Sequence, residues 1–268
     1  MKIIIALLLS SLLLLAACQQ PLEQPQQIDE NQKTAAQVSD AVGIETRMVT
    51  YGNDFQGFLA NPTAQGTYPG IVLIHEWWGL NDYIKGEAER LAKSGYVVLA
   101  VDLYDGKVGQ NADEARQYSG KVRNDTTRSI AHMKNAVSYL KEQNGVNADK
   151  IASMGWCFGG GMSMQLALQD ELQATVIYYG NLETDKEKLS HITWPILGIF
   201  GEEDTAIPVT SARKFGAALD DLGIENEIYI YPAVGHAFAN PSNPGHDINK
   251  TADAWLKTVA FLDEHLKD

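Results

Sequence analysis

The segment Gly155-Trp156-Cys157-Phe158-Gly159-Gly160-Gly161 constrains this chain more than any other. The apolar run Ile151-Ala152-Ser153-Met154 leads into it, and Met162-Ser163-Met164-Gln165-Leu166-Ala167-Leu168 leaves it with helical character. The pattern predicts a strand, a tight glycine-flanked turn and a helix, with a thiol at the apex. Glycines on either side let strand and helix approach closely while the central side chain is held out of the sheet in a strained backbone conformation. The helix N-terminus then directs unpaired N–H groups at the sulfur, which favours a thiolate. A buried structural cysteine in a glycine-rich turn is the alternative reading of the same residues.

The rest of the chain fits a strand–helix alternation. Arg47 to Tyr51 and Phe55 to Ala60 read as a short antiparallel pair around Gly52-Asn53-Asp54. Compact apolar runs follow at Gly70 to His75, Tyr96 to Val101, Ile151 to Met154, Ala174 to Tyr179, Ile196 to Phe200 and Glu227 to Tyr231. Helical patterns lie between and after them: Tyr83 to Ser94, Ala112 to Gly120, Thr126 to Gln143, Gly161 to Gln169, Val209 to Leu222 and Lys250 to Leu266. Continuous apolar strands separated by helices predict an α/β protein, a doubly wound, mostly parallel sheet with helices on both faces. In such sheets the carboxyl ends of the strands carry the chemistry.

The first residues have a different character. Met1-Lys2, then an apolar stretch from Ile3 to Leu15 and the small residues Ala16-Ala17, read as a secretory signal too short for a comfortable membrane span. Leu15-Ala16-Ala17-Cys18 resembles the bacterial lipobox, which implies a signal peptide over 1–17, lipid attachment at Cys18 and a membrane anchor of more than one acyl chain. Gln19 in place of aspartate implies the outer membrane, facing the periplasm; an ordinary cleaved signal peptide is the alternative. Residues 18–44 are rich in Gln and Pro and poor in large apolar residues, so they read as a flexible tether. Residues 45–268 are long enough for one core.

The formal net charge of −13 argues against nucleic-acid binding and says little of the substrate. Of the two cysteines, lipidation would consume Cys18 and leave Cys157 without a disulfide partner in an oxidising compartment. An unpaired thiol there is exposed to oxidation, which favours a used cysteine over a structural one. Neither a dinucleotide fingerprint, a P-loop nor metal-ligand spacing is present, so no cofactor and no metal is expected.

A thiolate nucleophile needs a base and a group to orient that base. The strand Ile196 to Phe200 is followed by Gly201-Glu202-Glu203-Asp204, and the last strand, ending at Tyr231, by Pro232-Ala233-Val234-Gly235-His236. The order Cys157, Asp204, His236 resembles that of α/β-hydrolases, whose G-x-S-x-G nucleophile elbow the turn at Cys157 also resembles, with cysteine for serine. Glu202 and Glu203 compete with Asp204 as the orienting acid, and His75, His132, His191, His246 and His265 are the rivals of His236. Acyl transfer also needs donors for an oxyanion, assigned to the backbone N–H of Phe158 and of Trp77, in the loop after the third strand.

Four segments together resemble the dienelactone hydrolase family: His75-Glu76-Trp77-Trp78-Gly79-Leu80-Asn81, Asp102-Leu103-Tyr104, Gly155-Trp156-Cys157-Phe158-Gly159-Gly160 and Gly235-His236-Ala237-Phe238. The resemblance implies a compact α/β-hydrolase fold with little or no lid, cleaving an ester or lactone through a thioester. It also implies that Glu76 contacts the thiol at rest and takes part in forming the thiolate. The sequence departs from the family where anionic lactones are held: the two carboxylate-binding arginines are replaced within Asp105-Gly106-Lys107 and Ala239-Asn240-Pro241. An altered pocket for an uncharged ester is therefore expected, with Trp77, Trp78, Tyr104, Tyr178 and Tyr179 either lining it or packed in the core. The expected protein is a monomer acting on a small-molecule ester or lactone. An acyltransferase or thioesterase, and a non-catalytic envelope binding protein that has kept the fold, are the other readings.

Overall fold

The computed structural model describes residues 43–52 and 54–267. Residues 1–17, read above as a signal peptide, Cys18, and the stretch read as a tether up to residue 42 lie outside the described residues. Among the described residues no helix is long and apolar enough to cross a membrane.

Eight strands among the described residues form one sheet: β1 (Ile44–Tyr51), β2 (Phe55–Pro62), β3 (Tyr68–Ile74), β4 (Val97–Val101), β5 (Val146–Trp156), β6 (Ala174–Tyr178), β7 (Ile196–Gly201) and β8 (Asn226–Tyr231). Their order across the sheet is β1-β2-β4-β3-β5-β6-β7-β8. The hairpin β1–β2 is antiparallel and joins β4 antiparallel, whereas β4, β3, β5, β6, β7 and β8 run parallel. The helices are α1 (Asp82–Lys93), α2 (Ala112–Asn124), α3 (Thr126–Glu142), α4 (Phe158–Ala167), the single turn α5 (Lys186–Leu189), α6 (Val209–Leu222) and α7 (Ile248–Leu266).

Strand alternation divides the core in two. On β3, Val72 and Ile74 join the cluster that holds Met133 and Leu140 of α3 and Phe215 of α6. Ile71 and Leu73, pointing the other way, join Ile84 and Leu91 of α1 and Phe261 of α7. Both faces of the parallel strands are thus covered, which is why their sequences read as unbroken apolar runs. This doubly wound sheet is the predicted α/β-hydrolase architecture.

Two boundaries differ from the sequence pattern. Glycines oppose helix formation, so the pattern predicts a helix only from Gly161. The helix α4 instead begins at Phe158 and takes in Gly159, Gly160 and Gly161. Backbone crowding explains it: a Cβ on Gly159 would stand 2.3 Å from the Ile74 carbonyl oxygen, and one on Gly160 would stand 2.6 Å from that of Tyr178. Strand β5 starts earlier than its apolar run because Val146 and the polar Asn147 pair with Tyr68 and Pro69 before a register shift.

Candidate active site

Cys157 sits between β5 and α4 with φ 55° and ψ −118°, a conformation that costs free energy in any residue but glycine. Its own N–H is tied to the Tyr178 carbonyl at 2.9 Å, which fixes the turn against the end of β6. On its inner side a Cβ on Gly155 would lie 2.3 Å from the Gly159 carbonyl oxygen, so strand and helix close on each other only with glycine there. Cys157 is the N-cap of α4 and makes no side-chain capping bond. The first N–H groups of that helix therefore remain available beside the sulfur.

Two later loops converge on this turn. Beyond β8, His236 brings Nε2 to 3.1 Å from Cys157 Sγ. Its Nδ1 lies 2.8 Å from Oδ2 of Asp204, which follows β7. The other carboxylate oxygen of Asp204 accepts N–H bonds from Ala206 and Ile207, both at 2.8 Å, so the acid cannot rotate away. Asp204 is buried, whereas Glu202 and Glu203 are exposed. Burial works against a charge on His236, but the hydrogen bonds and negative charges of Asp204 and Cys157 outweigh it and raise the imidazole to about 10. Asn243 donates from Nδ2 to the carbonyls of His236 and Ala237 at 2.7 and 2.9 Å, pinning the loop.

Of the remaining histidines, His246 is held by its backbone N–H, which donates to the Asn243 carbonyl at 2.9 Å, and the other four have side-chain partners elsewhere. His75 is fully buried, stacked on Phe158 and edge-on to Tyr104. Its Nε2 accepts from the Leu103 N–H at 3.3 Å, so its Nδ1 carries the proton and donates to the Glu76 carbonyl at 2.6 Å. Desolvation lowers its pKa, and the ring is a neutral brace for the loop. His132 bonds to Tyr51 and Gln56, His191 to Ala167, and His265 packs on Phe261.

Glu76 lies in the loop after β3, with 2% of its surface exposed. Asn240 Nδ2 donates to its Oε2, and its Oε1 has no partner. Burial raises its pKa to about 7 against the opposing influences of Asn240 and His236. No hydrogen bond joins Glu76 to the thiol among the described residues: Asn240 holds the carboxyl and His236 holds the sulfur. Trp77 in the same loop is fixed through its carbonyl, which accepts from the Tyr104 hydroxyl at 3.1 Å. Neither the Trp77 nor the Phe158 N–H is used in a loop or side-chain hydrogen bond among the described residues, which leaves both as available donors.

A cavity of about 580 Å³ opens in front of Cys157 and His236, walled by Glu76, Trp77, Trp78 and Tyr179 among others. Of the aromatic residues with two open readings, Trp77, Trp78 and Tyr179 line it. Tyr178 belongs to the core, bonded to Ala254 and Thr258, and Tyr104 stands behind Trp77. Arg123 is the cavity's only lysine or arginine among the described residues. It arrives from the last turn of α2, with its guanidinium 5.4 Å from the Phe158 ring centre and no ion pair among the described residues. No motif in the sequence marked it; only the packing of α2 beside the turn reveals it. A smaller cavity, about 290 Å³, lies on the other side of Tyr104, lined by Lys107, Lys121, Arg128 and His132. Among the described residues no group of three or more His, Cys, Asp or Glu is placed to hold a metal ion.

The sheet order and the convergence of three loops at its carboxyl edge define an α/β-hydrolase. The family model of the dienelactone hydrolases matches residues 55–266, and the chain belongs to that family. "Protein usf" of Aquifex pyrophilus is 32% identical over 80% of this chain and 95% of its own length. A protein of Synechocystis sp. named "Putative carboxymethylenebutenolidase" is 28% identical over 84% of this chain and 99% of its own. Among solved structures, a dienelactone hydrolase-like promiscuous phosphotriesterase from metagenomic libraries superposes with a TM-score of 0.76 at 23% identity, covering 83% of this chain and 98% of that one, a likeness of fold. The protein is a hydrolase of the dienelactone hydrolase type.

Proposed function

We propose that this hydrolase cleaves small esters or lactones through a thioester on Cys157, with His236 as proton carrier and Asp204 as its orienting acid. The observation that carries the reading is the unbroken chain of short contacts, Sγ to Nε2 at 3.1 Å and Nδ1 to Oδ2 at 2.8 Å, at the floor of a cavity. A charged imidazole and a helix N-terminus together stabilise negative charge on sulfur. The sulfur attacks the ester carbonyl, and the oxyanion formed takes hydrogen bonds from the N–H groups of Phe158 and Trp77. As the carbon–oxygen bond breaks, His236 gives its proton to the departing alkoxide. Water then adds to the thioester carbon, losing a proton to His236. The carbon–sulfur bond breaks with its electrons on sulfur, and the acid is released.

Cys157→Ala tests this directly. Turnover of a chromogenic ester should fall by about 10³-fold or more while the fold persists, since removing a nucleophile leaves only binding and oxyanion stabilisation. Unchanged turnover would remove the cysteine assignment. The amino-terminal segment supports a further part of the reading: with Leu15-Ala16-Ala17-Cys18 as a lipid attachment site, the hydrolase domain would work at a bacterial membrane facing the periplasm. Mass spectrometry of the chain from a bacterial membrane fraction tests it, expecting an amino terminus at Cys18 that carries acyl chains.

A further inference from the structure

Among the described residues three buried side-chain polar atoms lack a hydrogen-bond partner: Glu76 Oε1, Tyr179 Oη and His132 Nδ1. Two of these belong to residues that wall the cavity in front of Cys157. A buried polar atom left unpaired costs about 1–3 kcal/mol, so two in one wall call for a cause. Tyr179 carries a second cost, a φ of 36° in a residue that is not glycine. Its neighbours enforce that conformation. The Tyr179 N–H donates to the Ile199 carbonyl at 2.7 Å, and its ring sits edge-on to His236 and Phe238 at 5.2 and 5.8 Å between centres. The ring is clamped and its hydroxyl is unsatisfied.

We propose that Tyr179 Oη and Glu76 Oε1 form a polar subsite that takes one O–H group in the course of the reaction. The inference rests on the hydrolase reading above and adds to it what the cavity recognises. Burial, and after it the charge of Glu76, raises the Tyr179 phenol well above its ordinary range, so it stays a donor at any working pH. Glu76, raised by burial to about 7, is partly carboxyl and partly carboxylate near neutrality. Its unpaired oxygen therefore needs a partner that both donates and accepts. An ester or ether oxygen only accepts and an ammonium group only donates, whereas a hydroxyl does both. That hydroxyl belongs either to the substrate or to the water that attacks the thioester. In the second case the water oxygen bonds to the acyl carbon, its proton passes to His236, and the carbon–sulfur electron pair returns to sulfur.

The experiment uses the full chain and its Tyr179→Phe variant, with the 4-nitrophenyl esters of butyrate and 3-hydroxybutyrate. If the subsite holds a substrate hydroxyl, the native protein prefers the hydroxylated ester and the variant reduces that ratio of kcat/KM by about tenfold, the value of one buried hydrogen bond. If it holds the attacking water, the ratio stays and the deacylation rate falls by about tenfold for both esters, seen as a larger burst of 4-nitrophenolate relative to the steady state. Removal of an unpaired hydroxyl should leave the melting temperature equal or higher, and Glu76→Gln read in the same two assays provides a second variant. Native turnover with neither the ratio nor the deacylation rate moved in either variant overturns the subsite alone. Failure of the native protein to cleave either ester overturns the hydrolase reading and the subsite with it.

Discussion

The loops after β3 and after β8 each carry a histidine close to the strand end, and the two histidines behave in opposite ways. His75 is sealed between Tyr104 and Phe158, accepts a backbone N–H, and is driven neutral by desolvation. His236 has its ring between a carboxylate and a sulfur and is raised to about 10 in spite of burial. The side chain is the same; the partners decide whether it is a neutral brace for a loop or a readily charged ring beside a thiol.

Substitutions separate these roles, and the largest effect belongs to the second loop. His236→Gln should lower kcat by about 10³-fold or more with little change in melting temperature, since it removes the proposed proton carrier from a partly exposed position. Equal losses of activity and of stability would collapse the distinction between the two histidines. His75→Leu should do the reverse in kind. Leaving the Leu103 N–H unpaired, and the Glu76 carbonyl with only the Gly79 N–H as donor, should cost about 1–3 kcal/mol of stability, measured by denaturant unfolding, with activity lost only as far as the loop is displaced.

Glu76 sharpens the comparison, because it lies beside His75 in sequence and reaches toward the loop of His236. Its folded pKa of about 7 is above the ordinary 4.5, so its protonated form favours the fold. That contribution is complete below pH 4.5 and is lost as pH rises through about 7. Glu76→Gln should therefore stabilise the protein by up to about 3 kcal/mol at pH 8 relative to its effect at pH 4.5, a difference read from urea unfolding at the two values. A pH-independent effect would mean that the carboxyl does not titrate in the fold. The smallest expected change is at the cavity mouth. Arg123→Gln should raise KM for an anionic ester about two- to fivefold over its effect on an uncharged one, as loss of an exposed cation does. Equal effects on both would leave Arg123 as a packing partner of Phe158.

The same contrast explains what could be read from the sequence. The strands, their order of use and the turn at Cys157 announce themselves through local patterns: unbroken apolar runs, flanking glycines and loop positions just beyond strand ends. The spacing Cys157, Asp204, His236 spans three such units and so was readable one unit at a time. The start of α4 was not, because three consecutive glycines look like a loop until the carbonyls of Ile74 and Tyr178 are seen against them. Arg123 was invisible for a different reason. Its helix carries no motif, and only tertiary packing brings its last turn to the cavity, so a pocket expected to suit an uncharged ester has a cation in its wall. The partner of Glu76 was likewise hidden, since Asn240 is 164 positions away.

The crowding around the turn has an evolutionary corollary. At Gly155, Gly159 and Gly160 even a methyl group collides with main chain, so these positions are closed to drift. The side chain of Cys157 between them faces the cavity, and an oxygen, smaller than sulfur, would meet no such obstacle there. Such a scaffold freezes the location of the atom proposed to react and leaves the element occupying it free to be exchanged.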